Sequence, residues 1–247
     1  MPRFILVRSI LYQGVLVGSV VVFSSLLILL GPIVSVRTLD RIGVAWARFN
    51  LSALDRICGL RYRVVGLESL PDDNAIVLCK HQSAWETIAL RGILPPHQSW
   101  VLKQELMRIP FFGKALARCQ SIPVDRSAGR RAIVELIREG LARLNAGRWV
   151  IVFPEGTRVA PGTRRPYAIG GALLAERSGR PVVPIAHNAG VFWGRRSVRK
   201  SPGTIDLVFG PLIRTAGRTA AEINAEVEDW IEKTVASLPG AHPHPAT

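Results

Sequence analysis

Between Arg8 and Arg37 the chain carries no charged side chain: residues 9–36 read SILYQGVLVGSVVVFSSLLILLGPIVSV, 28 positions in all. A helix of about 20 apolar residues is enough to cross a bilayer's hydrocarbon. A cleavable leader has a shorter apolar core and a small-residue cleavage site, and this run fits that pattern poorly. The run therefore predicts a membrane-associated helical segment. Gly31-Pro32 interrupts it, because proline has no N–H to donate and collides with the preceding turn. Beyond the break, Leu39, Ile42, Trp46 and Phe49 recur at spacings of three and four, with Arg37, Arg41 and Arg48 between them. This is the pattern of an amphipathic, interfacial helix. Arginines flank the run on both sides (Arg3 and Arg8, then Arg37 and Arg41), so charge asymmetry selects no orientation. A single span and a half-buried helical hairpin both remain open.

Lys+Arg number 32 against 18 Asp+Glu, a formal net charge of +14. Such an excess calls for an anionic partner: nucleic acid, an anionic membrane or a phosphorylated substrate. The aromatics do not interleave with the basic residues and no nucleic-acid-binding module is recognisable, which argues against nucleic acid. Cys58, Cys79 and Cys119 are scattered, as expected of thiols in a reducing compartment. The five histidines show no metal-ligand spacing.

The chain divides into an anchoring segment, 1–58, a soluble portion, 59–240, and a Pro-rich tail, 241–247, that contains His242 and His244 and is expected to fray. Hydrophobic runs at 75–79, 149–153, 181–185 and 204–209 read as strands. Helices are expected at 130–145, 168–178 and 219–237, the last with acidic residues on its outer face. Strands alternating with helices predict an α/β fold with a mainly parallel central sheet flanked by helices. Ligands of such sheets bind beyond the carboxyl ends of the strands. Polar clusters stand at two of those ends, Lys80-His81 and Pro154-Glu-Gly-Thr-Arg158.

In the segment Lys80-His-Gln-Ser-Ala-Trp-Glu-Thr87, a spacing of five would point His81 and Glu86 apart on one continuous helix. They meet if His81 lies in the preceding turn, with Ser83 as N-cap and Glu86 third in the helix. The same spacing makes Ser83-x-x-Glu86 a capping box, in which Glu86 serves only a backbone amide. A histidine–carboxylate pair is useful because the carboxylate orients the ring and steadies the imidazolium, leaving the other nitrogen to take a hydroxyl proton. In the second cluster Gly156 allows close backbone approach, Thr157 offers a hydroxyl and Arg158 a fork suited to phosphate. No serine lies in a GxSxG elbow. Cys79 reads as a small core residue, His97 and His187 as structural, and Gly170-Gly171 as a site of close helix packing. The stretch Arg195, Arg196, Arg199 and Lys200 reads either as a solvated loop or as a surface for anionic headgroups.

The two clusters resemble the signature of the glycerolipid acyltransferase family, above all its 1-acylglycerol-3-phosphate acyltransferases. Four blocks recur in order. His81 to Glu86 is similar to a histidine–four residues–aspartate block, 122–126 (Ile-Pro-Val-Asp-Arg) to a hydrophobic stretch ending in arginine, 153–158 (Phe-Pro-Glu-Gly-Thr-Arg) to the third block in full, and 182–185 (Val-Val-Pro-Ile) to the fourth. Segments at 103–106 and 110–113 add to the resemblance, which spans about residues 75–190. One position departs: Glu86 stands where the family has aspartate. The resemblance implies transfer of an acyl chain from a thioester to the sn-2 hydroxyl of lysophosphatidic acid, giving phosphatidic acid in phospholipid biosynthesis. In it His81 is the general base and Glu86 its orienter. Arg126 and Arg158 clamp the acceptor phosphate, Glu155, Gly156 and Thr157 shape that pocket, and Lys103 is a further candidate for the phosphate. Backbone amides near Gly156 are candidates for steadying the oxyanion. No metal or cofactor is expected beyond acyl-CoA or acyl carrier protein as co-substrate. The expected setting is an anionic membrane surface, a bacterial inner membrane with the catalytic part on the cytoplasmic side. An acyltransferase for another lyso-lipid, and a non-catalytic basic membrane protein, are the competing expectations.

Overall fold

Gly31-Pro32 ends the first helix where the sequence places the break. In the computed structural model, which describes residues 2–240, α1 runs Pro2–Leu30 and α2 runs Val36–Cys58. The expected tail lies outside the described residues. Ser35 caps α2, its Oγ accepting the Thr38 amide at 3.2 Å. Gly59, left-handed at φ 65°, closes α2 by donating to Asp55 O.

The two helices form an antiparallel hairpin. The Trp46 indole donates to Ser19 Oγ at 3.1 Å and stacks on Phe23. The face of α2 differs from the expected one. Leu39, Gly43, Ala47, Leu51, Leu54 and Cys58 are buried, Ile42 and Trp46 are half-buried and pack with α1's layer, and Phe49 is exposed. The reason is that α2 is a middle layer with two partners, α1 and α3 (Trp85–Ile93). Helix α1 is the one helix among the described residues long and apolar enough to cross a membrane. It is nevertheless tied to the rest of the chain at both ends. Ser9 Oγ accepts the Lys200 amide at 2.9 Å, and Leu27 packs with Leu39, Ala115 and Cys119. Its outer side exposes Leu6, Ile10, Val17, Val21 and Leu29.

The sheet has seven strands: β1 Leu60–Val65, β2 Ile76–Cys79, β3 Gln98–Lys103, β4 Ile122–Val124, β5 Trp149–Val152, β6 Val182–His187 and β7 Gly203–Phe209. Their spatial order is β1-β7-β6-β2-β5-β3-β4, and every pair is parallel except β6–β7. The fold is thus the expected α/β sheet, with three strands the periodicity did not reveal. Strand β1 alternates charge (Leu-Arg-Tyr-Arg-Val-Val) at the sheet's rim, β3 carries Gln98 and Ser99, and β4 has only three residues, one of them proline. Central β2 divides its side chains. Val77 and Cys79 enter the core beneath α2 and α3, while Ile76 and Leu78 enter the opposite core, formed with α5 (Arg130–Asn145), α6 (Gly170–Ser178) and α8 (Ala220–Ser237). A short α4 (Phe112–Arg118) packs against α1, and α7 (Ala189–Phe192) follows β6. Gly170 and Gly171 are packing glycines: a Cβ would meet Leu136 at 2.8 Å and Leu78 at 2.6 Å respectively.

A buried ion pair fastens the hairpin to the sheet. Asp40, on α2 and 0% exposed, receives both terminal nitrogens of Arg148 at 2.8 and 3.0 Å. Arg148 also donates to Gln98 O and Ser99 Oγ, and His97 Nδ1 lies 3.1 Å from Asp40. His97 is structural, and its partner comes from a helix 57 residues away. Removing one member strands the other charge, so Asp40→Ala is expected to cost about 3–5 kcal/mol. The double variant Asp40→Ala/Arg148→Met is expected to recover part of that loss. Denaturant unfolding in detergent micelles checks both, and equal losses in single and double variants would remove the pair as the fastening.

Candidate active site

Five strands deliver polar residues to one edge of the sheet because all five run the same way. Strand β2 ends at Lys80-His81, β3 at Lys103, β4 just before Arg126, β5 before Phe153-Pro-Glu-Gly-Thr-Arg158, and β6 at His187. Residues scattered over about a hundred positions thereby share one edge.

His81 leaves β2 in the turn before α3. Its Nδ1 lies 2.8 Å from Glu86 Oε1, and its ring stacks on Phe153 with centroids 4.1 Å apart. The same Oε1 accepts the backbone amides of Gln82 at 2.8 Å and Ser83 at 2.7 Å. Glu86 therefore performs both roles that its spacing allowed, bracing the turn and holding the imidazole. The cap differs from the expected one: Ala84, not Ser83, is the N-cap, and Glu86 is second in the helix. Ser83 Oγ still accepts the Trp85 amide. Glu86 is 0% exposed. Burial alone would push its carboxyl up, but nearby His187, the bond from His81 and the Ser83 amide together hold it below the ordinary carboxylate range. Nδ1 of His81 thus faces a carboxylate and is fixed as the N–H nitrogen. Nε2, bonded to no group among the described residues, is the nitrogen left for an incoming hydroxyl, on a side chain 14% exposed.

Behind this pair stand residues whose part the sequence did not disclose. His187 is fully buried. Its Nε2 donates to Lys80 O at 2.8 Å, its Nδ1 accepts the Ala189 amide, and it sits 3.9 Å from the second oxygen of Glu86. Burial pushes the imidazole's pKa down, and the charge of Glu86 opposes that fall. Lys80 is 1% exposed, and its ammonium lies 2.7 Å from Glu155 and 2.6 Å from Glu232 of α8. The Tyr167 hydroxyl donates to Glu232. Glu232 departs from the expected outer acidic face of α8, which Glu222, Glu226 and Asp229 do occupy. The only trace of the Lys80–Glu232 pair in the sequence is a lysine directly after an apolar strand.

Glu155, expected with Gly156 and Thr157 to shape the acceptor pocket, is turned inward and 3% exposed. Its Oε2 accepts the His81 backbone amide at 2.6 Å, so it braces the backbone of the turn that carries His81. Burial pushes its pKa up to about 7, with Lys80 opposing the rise. Gly156 has φ 69°, and a Cβ there would lie 3.7 Å from the Arg126 guanidinium, which places Arg126 against the 153–158 turn. Its amide is already donated to Phe153 O at 3.0 Å and is not free to hold an oxyanion. Thr157 and Arg158 are half-buried, and Arg158 Nε is buried without a protein acceptor, a donor left for an anion. Lys103 is exposed beside Glu105, and its strand partner Val124 stands two residues before Arg126. Lys103, Arg126 and Arg158 thus put three cations at the same edge of the sheet as the His81–Glu86 pair.

Cys79 is fully buried, and burial raises its thiol pKa, so it is a core residue and no nucleophile. No group of His, Cys, Asp and Glu side chains among the described residues is arranged for a metal. Lys200, grouped above with a basic loop, is buried instead. Its ammonium lies over the Trp193 and Tyr12 rings and donates to Gln13 Oε1 and Val198 O, while Arg195, Arg196 and Arg199 stay exposed.

Comparison with known proteins points to one family. A family model described as acyltransferase matches residues 61–188. The 1-acyl-sn-glycerol-3-phosphate acyltransferase of Pseudomonas aeruginosa is 40% identical over 97% of this chain and 96% of its own. That of Helicobacter pylori is 29% identical over 55% of this chain and 60% of its own. The crystal structure of the 1-acyl-sn-glycerophosphate acyltransferase of Thermotoga maritima has the same fold, with a TM-score of 0.79 over 98% of both chains at 20% identity.

The raised pKa of Glu155 has a definite sign. A group that binds its proton more tightly when folded contributes stability that is full below its unfolded pKa of 4.5 and is lost as pH rises through about 7. Glu155→Gln lacks this loss. Its melting temperature is expected to rise relative to that of the unsubstituted protein between those two pH values. Thermal unfolding across the interval tests it, and a constant difference would show that Glu155 titrates as an ordinary carboxylate.

Proposed function

The chain belongs to the acyltransferase family, and within it we propose that it acylates the sn-2 hydroxyl of 1-acylglycerol-3-phosphate, with His81 as general base. The observation that carries the mechanism is the His81–Glu86 pair, with Nδ1 held at 2.8 Å and Nε2 unoccupied. The similarity to relatives named for this acceptor supports the substrate. Nε2 takes the proton of the acceptor hydroxyl as its oxygen attacks the carbonyl carbon of a thioester. The tetrahedral adduct collapses, the C–S bond breaks, and the leaving thiolate recovers the proton from the imidazolium. The carboxylate of Glu86 compensates the imidazolium's charge throughout. No acyl-enzyme is needed, since neither Cys79 nor an activated serine offers a nucleophile.

The three cations suit the acceptor's phosphate. Arg126 and Arg158 have planar forks for its oxygens, and Lys103 adds a point charge. Thr157 and Gly156 line the approach, and Glu155 keeps the His81 backbone in place. The donor is acyl-CoA or acyl carrier protein. The chain is membrane-associated through α1 and α2, and in this reading the hairpin lies half-embedded, its outer apolar side in lipid. The compartment we assign is the cytoplasmic side of a bacterial inner membrane, where phosphatidic acid enters phospholipid synthesis.

Purified protein given lysophosphatidic acid and a labelled acyl thioester is expected to yield labelled phosphatidic acid, scored by chromatography of the lipid. His81→Ala should lower kcat about 10²–10⁴-fold without loss of fold, the usual worth of a general base. Glu86→Gln should keep the turn's amide bonds, and hence the melting temperature, yet lose much of the rate, because glutamine carries no charge to offset the imidazolium. Transfer only to a lyso-lipid lacking phosphate would reassign the acceptor, and full activity in His81→Ala would remove the mechanism.

A further inference from the structure

We propose that the turn Ile109-Pro110-Phe111 is a second membrane contact, separate from the hairpin, seated in the acyl layer of an anionic glycerophospholipid bilayer beside the mouth of the site. The inference rests on the membrane association of the chain and adds an element that the apolar run does not contain.

Phe111 is 68% exposed and Ile109 44%, and both are far from the apolar segment in sequence. Exposure alone would carry little. The backbone adds a second observation. Phe111 has φ 61° and ψ −53°, and the Phe112 amide donates to Pro110 O at 2.6 Å, closing the strained form of the γ-turn with a phenylalanine at its apex. A bulky L-residue adopts this conformation only when its surroundings impose it. Here they do. Pro110 fixes the entry, the Gly113 amide donates to Ile109 O at 2.8 Å, and any Cβ at Gly113 would collide with Met107 O. The fold thus spends strain on holding an aromatic ring outward in water, which is unfavourable unless something apolar receives it.

Three features identify the receiver as lipid. Helix α4, which begins at Phe112, packs through Ala115 and Cys119 against Leu27 of α1, so the turn belongs to the same side of the sheet as the hairpin's apolar exterior. The segment 103–118 holds four cations, Lys103, Arg108, Lys114 and Arg118, against one acid, Glu105, a fringe suited to anionic headgroups. The turn also lies on the connection that leaves β3 at Lys103, beyond one short 3-10 helix, Gln104–Arg108, so a lipid acceptor leaving the bilayer there meets the cations that follow β3 first.

The test uses the full chain reconstituted in vesicles of dibrominated phosphatidylcholine with phosphatidylglycerol. Cys58, Cys79 and Cys119 are buried and will not take up a thiol-directed fluorophore in the folded protein, so Phe111→Cys labels at one place. Ala221→Cys, exposed on α8 at the opposite side of the sheet, is the comparison. The label at 111 is expected to emit further to the blue and to be quenched severalfold more by the brominated chains than the label at 221. Equal quenching at the two positions overturns the proposal, including the case in which another protein, not lipid, covers the turn. Because the readout is fluorescence, its failure is separable from failure of the acyl-transfer reading. An inactive enzyme with a quenched label loses only the activity, and an active enzyme with an unquenched label loses only this contact.

Discussion

One oxygen of one buried carboxylate organises the site. Glu86 Oε1 accepts from the His81 ring and from two consecutive backbone amides, all within 2.8 Å. Three donors compensate a charge that burial would otherwise neutralise, and the ionised carboxylate in turn selects the imidazole tautomer. If Glu86 were protonated, the imidazolium would lose its counter-charge and the ring the anionic acceptor that selects its tautomer. Local structure and chemistry therefore depend on the same interaction. Glutamate stands where the related family pattern has aspartate, and α3 starts one residue later than a Ser83 cap would place it.

The surrounding network extends that constraint to the whole domain. His81's own amide is held by Glu155, Glu155 by Lys80, and Lys80 by Glu232 at the far end of the chain. Two acidic side chains share one ammonium in a nearly dry setting. Such a cluster gives little net stability but is costly to leave incomplete, so it fixes geometry more than it adds to folding free energy. At the opposite edge of the sheet, Asp40 and Arg148 join the hairpin to β3 and β5 in the same manner. The hairpin consequently packs into the domain's core. Tyr12, Ala47, Leu51 and Leu54 belong to the same cluster as the strands.

The contiguous parts of the site were legible in the sequence. His81 to Glu86 and Phe153 to Arg158 are each local, lie at strand ends and carry chemistry in their residue types. The four apolar strands and the three later helices were legible for the same reason, since period and length mark them. What escaped was stabilised by partners distant in the chain. Strands β1 and β4 sit near or at the sheet's rims and lack a continuous apolar run, so nothing local distinguishes them from loops. Glu232 lies on a helix whose other acids face solvent, and only the approach of Lys80 makes its burial tolerable. Lys200 was misread for a similar reason: among arginines it looks like one more surface charge until two aromatic rings cover it.

By itself the sequence determined that the chain carries an apolar segment long enough to cross a membrane, that it folds as a mainly parallel α/β sheet, and which two short polar clusters stand at its strand ends. These depend on hydropathy, on period and on neighbours within a few residues. Only the tertiary structure decided that Glu86 both braces the turn and holds the imidazole, that Glu155 faces inward, that Glu232 and His187 stand behind the His81 turn, and that α1 lies along the domain bound at both its ends. Each of those is a question of which buried polar group finds a partner. The partner comes from an element tens to hundreds of residues away, brought close by the common direction of the strands.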